Sequence, residues 1–76
     1  MSVQTNRRTL QLGSTGDDVK TVQKSLNVHG FGSLTEDGIF GAKTESAVKK
    51  YQTNHGLSAD GIVGLKTWYQ LDNDAK

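Results

Sequence analysis

One eight-residue unit occurs twice in this chain, and that repeat constrains the fold more than any other feature. Asp37-Gly38-Ile39-Phe40-Gly41-Ala42-Lys43-Thr44 returns as Asp60-Gly61-Ile62-Val63-Gly64-Leu65-Lys66-Thr67, identical at six of eight positions with a spacing of 23. Just upstream, Val22, His29, Gly30 and Phe31 return as Val48, His55, Gly56 and Leu57 at a spacing of 26. The three-residue change in spacing falls in the connecting segments, 32–36 against 58–59. Loops absorb such length differences and regular elements do not. The unit therefore reads as helix, His-Gly stop, short loop, Asp-Gly turn, next helix.

The first helix is expected over about 17–29, with Gly16 as N-cap, Asp17 and Asp18 at the positive end of the dipole, and Val19, Val22 and Leu26 on the inner face. The second is expected over about 42–55, facing inward with Thr44, Ala47, Val48 and Tyr51. The third is expected over about 65–71, facing inward with Leu65, Trp68 and Leu71. Gly30 and Gly56 each follow a predicted helix, where a C′ residue takes the left-handed conformation. With His29 as C-cap, Leu26 and Phe31 occupy the two apolar positions of a Schellman ending. In each Asp-Gly pair the Asp carboxylate bonds a backbone amide further on and the Gly supplies a positive φ. Leu10 and Leu12 are expected in a short extended arm against the bundle, with Ile39 and Ile62 plugging the core. The fold class predicted is all-α: a compact three-helix bundle with two Asp-Gly-Ile-x-Gly turn repeats.

Length supports one domain and no more. A chain of 76 residues buries only about 60% of its unfolded surface, too little for two cores. Large apolar residues are few: two Phe, two Tyr and one Trp. Turn and cap chemistry should therefore weigh heavily in its stability. The organisation expected is a flexible segment over 1–6, the folded domain over 7–72 and a flexible tail over 73–76. The net charge of +1 is spread, with only Arg7-Arg8 and Lys49-Lys50 adjacent, which excludes the concentrated basic footprint of a nucleic-acid binder. The last predicted helix carries only Lys66 as a base, poor equipment for a DNA major groove. With no cysteine there are no disulfides or thiolate metal sites. No apolar run reaches the length of a membrane span, and Met1 to Asn6 lacks the apolar stretch of a signal peptide.

Catalytic constellations are also missing. The two histidines, His29 and His55, both sit at predicted helix ends before Gly, where capping explains them. No His spacing typical of a zinc site occurs. Asp37 and Asp60 could be paired as glycosidase carboxylates, but each is accounted for by its own turn. No Ser lies in a nucleophile elbow. The chain is expected to have no catalytic residues, no metal and no cofactor.

The sequence resembles the peptidoglycan-binding domain family of bacterial and phage lytic enzymes. The resemblance is carried by Leu12-Gly13, Gly16, Asp18-Val19, Val22-Gln23, Leu26, Gly30-Phe31, Asp37-Gly38-Ile39-Phe40-Gly41 and Thr44. It continues through Ala47-Val48, Tyr51-Gln52, Gly56-Leu57, Asp60-Gly61-Ile62-Val63-Gly64, Thr67-Trp68 and Leu71. The proline often found after the second motif glycine is Ala42 and Leu65 here, which removes a helix-starting preference but no binding group. The resemblance implies a three-helix bundle that recognises bacterial peptidoglycan, cleaves nothing itself and works beside the catalytic domain of a lytic enzyme. The same bundle is similar to the propeptide domain of matrix metalloproteases, which gives the alternative of a pro-segment regulating a peptidase. A monomer is expected. It would act at the bacterial cell wall, either as an excised domain or as a phage-type protein made in the cytoplasm.

Peptidoglycan offers hydroxyls, N-acetyl groups, amides and carboxylates, so its site needs hydrogen-bonding groups, an apolar platform and some anion preference. The start of the second helix supplies free backbone N–H groups, and Phe40 is the large apolar residue where the other copy has Val63. The site is accordingly expected around Asp37, Gly38, Phe40 and Gly41, with Tyr51, Gln52 and Tyr69 as walls. Trp68 is assigned to the core, and Phe40 has the competing role of a staple onto its own helix.

Overall fold

Three helices, α1 (Asp17–Val28), α2 (Ala42–Asn54) and α3 (Leu65–Asp74), make up the computed structural model, which describes residues 8–74. The all-α bundle is the architecture expected. The segment over 1–6 lies outside the described residues.

Both expected helix stops form through local bonds. After α1, with His29 as C-cap, the Phe31 N–H donates to Leu26 O at 2.9 Å and the Gly30 N–H to Asn27 O at 3.1 Å. After α2, the Leu57 N–H donates to Gln52 O at 2.8 Å and the Gly56 N–H to Thr53 O at 3.2 Å. These are the paired bonds of a Schellman ending. The ring nitrogens complete the caps: His29 Nδ1 lies 2.8 Å from Ser25 O and His55 Nδ1 lies 3.0 Å from Tyr51 O.

The arm is what joins the two turns. Leu10 and Val63 exchange both backbone bonds, at 3.1 and 2.8 Å. Further along, Gly16 donates to Gly38 O at 3.0 Å, and Phe40 donates to Ser14 O at 2.9 Å. One stretch of chain, 10–16, thus pairs antiparallel with both copies of the motif. This pairing overturns one expectation. Ile39 and Ile62 do not plug the core: they are 56% and 37% exposed, while Phe40 and Val63 are buried. Successive side chains on extended backbone point to opposite sides, and the bridges to the arm turn the residue after each Ile inward. The core contains Leu10, Val19, Val22, Leu26, Phe40, Ala47, Val48, Tyr51, Val63, Trp68 and Leu71. The Trp68 indole N–H is satisfied by Arg8 O at 2.8 Å. Leu12 and Leu65, both expected to face in, are exposed.

α3 also runs further than expected, to Asp74 rather than Leu71, so residues 73 and 74 of the expected tail are helical, while 75–76 lie outside the described residues. The extension is held by Asp74. Its Oδ2 accepts the Tyr51 hydroxyl at 2.6 Å and lies 3.0 Å from His55 Nε2. Burial and this contact push the Tyr51 phenol well above its ordinary range. The Tyr51 hydroxyl in turn holds the Asp74 carboxyl below its ordinary value of 3.8, with His55 and His29 adding to the effect. Tyr51→Phe keeps the ring, which meets Phe31 edge-on at 5.3 Å, and removes only the hydroxyl. It should cost about 1.5–2 kcal/mol near neutral pH, the lower part of the range for a hydrogen bond to a charged group. Because the folded carboxyl has the lower pKa, this stabilisation is complete above the unfolded value near 3.8 and is lost as pH falls through the folded value. Thermal melts of the two proteins should therefore converge in acid. A difference that widened below pH 4 would contradict the assignment.

Candidate functional site

The site is best built from two glutamines. Gln23, on α1, is buried, and its Nε2 reaches Ile39 O at 2.9 Å, Thr44 Oγ1 at 3.1 Å and Asp37 Oδ1 at 3.2 Å. Its Oε1 accepts the Gly38 N–H at 3.0 Å. Gln52, on α2, repeats the arrangement one unit later. Its Nε2 reaches Ile62 O at 2.9 Å, Thr67 Oγ1 at 3.1 Å and Asp60 Oδ1 at 3.1 Å, and its Oε1 accepts the Gly61 N–H at 2.9 Å. Each glutamine satisfies one Asp-Gly turn and the first turn of the following helix, so no buried polar atom of either turn is stranded. Each Asp also accepts the Ile N–H two residues on at 2.9 Å, the side-chain-to-backbone bond expected of such a turn. The Ile39 amide, followed by the Gln23 amide, holds the Asp37 carboxyl below the usual carboxylate range.

Outside each network lies a groove. The α2 groove, about 270 Å³, is lined by Leu34, Asp37, Ile39, Gly41, Lys43 and Thr44 among others. The α3 groove, about 470 Å³, is lined by Leu57, Asp60, Ile62, Gly64, Lys66 and Thr67 among others, with Leu65 where the α2 groove has Ala42. The two linings match position by position. Each has an Asp with one oxygen committed to the turn, an exposed Ile, an N-cap Gly, an exposed Lys in the first helical turn and a buried Thr. Neither Lys43 nor Lys66 is engaged in a hydrogen bond or ion pair among the described residues.

The residues expected at the site divide four ways. Asp37 and Gly41 line the α2 groove, and Gly38 lies buried beneath it. Phe40 and Tyr51 are 1% and 0% exposed, so both belong to the core and offer no wall to a ligand. Gln52 is not on a solvated helix face; it is the buried floor of the other groove. Tyr69 is exposed, as expected, but borders neither groove. The groove residues that the sequence reading does not assign to the site are Gln23, Ile39 and Lys43 beside α2, and Ile62 and Lys66 beside α3. Their sequence signal is the shared order of Gln, Asp-Gly-Ile, Lys-Thr in both copies. Among the described residues no three metal-ligating side chains converge, and no helix is long and apolar enough to cross a membrane.

Residues 15–71 match the family model of the peptidoglycan binding domain. The chain is 44% identical over 63 residues to a spore cortex-lytic enzyme of Halalkalibacterium halodurans, covering 83% of this chain and 19% of that enzyme. It is also similar to the crystal structure of the SleB N-terminal domain, with a TM-score of 0.87, 36% identity, and coverage of 91% of this chain and 94% of that one. A third likeness is to the Burkholderia AP3 phage endolysin, with a TM-score of 0.82 and 45% identity over 87% of this chain and 25% of that one. The chain spans 58% of the length of one relative, from Kitasatospora aureofaciens, and far less of the lytic enzyme.

Proposed function

Because the chain belongs to the peptidoglycan binding domain family, we propose that it binds bacterial cell-wall peptidoglycan and holds a lytic catalytic domain, attached or partnered, on that polymer. The observation that carries this is the extent of the match: residues 15–71 take in all three helix starts, both Asp-Gly turns and both grooves. Residues 15–71 correspond to the binding module of the family. The chain matches small shares of a cortex-lytic enzyme and an endolysin, 19% and 25%, and nearly the whole of a separately crystallised N-terminal domain. Tethering of this kind raises the effective concentration of an enzyme at an insoluble substrate without tight binding by any one site.

The groove at the start of α2 offers the groups such a site needs. Ile39 gives an apolar contact, Lys43 an anion partner and Asp37 an acceptor, all on one rim. The chain should co-sediment with purified insoluble peptidoglycan and not with chitin or cellulose. It should leave the walls intact, with no fall in turbidity and no muropeptide released. Release of fragments would refute a purely binding role. Failure to sediment, together with tight binding to a peptidase domain, would replace the reading with that of a regulatory pro-segment.

A further inference from the structure

Six positions are identical between the two motif copies, and the fold explains four of them. Asp and Thr are bonded to the glutamine, the first Gly has a positive φ, and the second Gly begins the helix. The remaining two, Ile39/Ile62 and Lys43/Lys66, are exposed in both copies. At 56% and 37% exposure the two Ile side chains keep much of their apolar surface in water, so they gain less than a core position would, and the turn bonds use none of their side-chain atoms. The Lys side chains are likewise unbonded among the described residues. Both pairs lie on the rims of the two matching grooves.

We infer that the two grooves are equivalent subsites for the short peptide stems of the wall polymer, so that one domain engages two stems. The inference rests on the peptidoglycan reading above and adds the ligand moiety and the stoichiometry. Each rim offers an ammonium for a carboxylate, a carboxylate oxygen for an amide N–H and an aliphatic surface of methyl-group scale. A stem peptide carries those three features: carboxylates, amides and alanine methyls. A Lys and an Asp on the same rim also make each groove locally balanced, which suits a peptide of mixed polarity better than a polyanion. The sugar strand is the poorer fit. A pyranose face calls for an exposed aromatic ring, whereas Phe40, Tyr51 and Trp68 are buried, and the half-buried Phe31 and the exposed Tyr69 border neither groove. The subsites differ mainly where Ala42 is replaced by Leu65, which deepens the apolar wall of the second.

Nuclear magnetic resonance titration of the intact chain with a synthetic, sugar-free stem pentapeptide tests this directly. Backbone amides over 39–44 and 62–67 should both shift, with two peptides bound per chain. Ile39→Ala should silence the first set alone and Ile62→Ala the second alone; both side chains are exposed, so the bundle should be kept, as circular dichroism would verify. On insoluble walls, losing one groove should weaken retention roughly a hundredfold, the lower bound of the gain from bivalent over single attachment. The double variant should not be retained. Shifts confined to one groove, or a one-to-one stoichiometry, overturn the duplicated site. No shift with the pentapeptide while the chain still sediments with walls overturns the stem peptide as ligand and leaves peptidoglycan binding standing. If the unaltered chain does not sediment at all, the underlying reading fails and the inference fails with it.

Discussion

Gln52→Leu should destabilise the domain by about 3–5 kcal/mol, because it leaves the buried Gly61 N–H and the Thr67 hydroxyl without partners at 1–3 kcal/mol each. Leucine matches the volume, so the loss is one of hydrogen bonding and not of packing. Four contacts disappear together: those to Asp60, Gly61, Ile62 and Thr67. For a chain of 76 residues, the total stability expected is only roughly 4–11 kcal/mol, so the variant should be partly unfolded at room temperature or melt at least about 12 °C lower. Gln23→Leu should behave alike, since it removes the same set from the other turn. A loss below about 1 kcal/mol at either position, the scale of one ordinary hydrogen bond, would show that water replaces the glutamine and that the network does not hold the turn. Gln52→Glu should be worse than Leu at neutral pH, because the new carboxylate faces Asp60 Oδ1 and the Ile62 carbonyl and donates to neither.

Gly38→Val should cost about 3–4 kcal/mol and Gly61→Val about 2, where backbone strain alone accounts for about 1–3 in each. Both glycines have positive φ, +78° and +75°, so the strain is shared. The surroundings differ. A Cβ on Gly38 would lie 3.0 Å from the Gly16 carbonyl oxygen, a backbone atom of a segment that itself bonds Gly38 O. On Gly61 it would meet Glu45 Cγ at 2.9 Å and Lys49 Cε at 3.1 Å, atoms of flexible side chains that can swing away. Chemical denaturation of the two variants reads the difference. Equal costs, which the repeat taken alone predicts, would mean that the arm yields as easily as a side chain.

Much of this protein is legible in the repeat because its punctuation is local. A His-Gly stop satisfies carbonyls three to five residues back, and an Asp-Gly turn bonds an amide two residues on. Chain order therefore suffices to place three helices, two Schellman endings and two turns within a few residues. The inner faces of α1 and α2 follow from helical periodicity in the same way. The site was legible only in part. Asp37 and Gly41 follow from the turn and the helix start to which they belong, whereas nothing local shows that Phe40, just before α2, and Tyr51, near its end, are buried in the core.

What only the tertiary structure decided depends on partners distant in sequence. Whether Ile39 or Phe40 turns inward is fixed by the pairing of 38–40 with 13–16, and the same choice at Ile62 and Val63 by Leu10. Nothing within the motif distinguishes the two sides. The glutamines are a second instance. Gln23 stands six residues before its C-cap and Gln52 three, so the linear repeat at spacing 26 pairs Gln52 with Leu26 and hides their equivalence. The shift is about one helical turn, and it brings either side chain over its own Asp-Gly turn. Periodicity counts a polar residue as facing water. It is the turn packed against that part of the helix, with four unsatisfied groups, that makes the interior the favourable place for each glutamine and leaves the identical Ile and Lys residues outside.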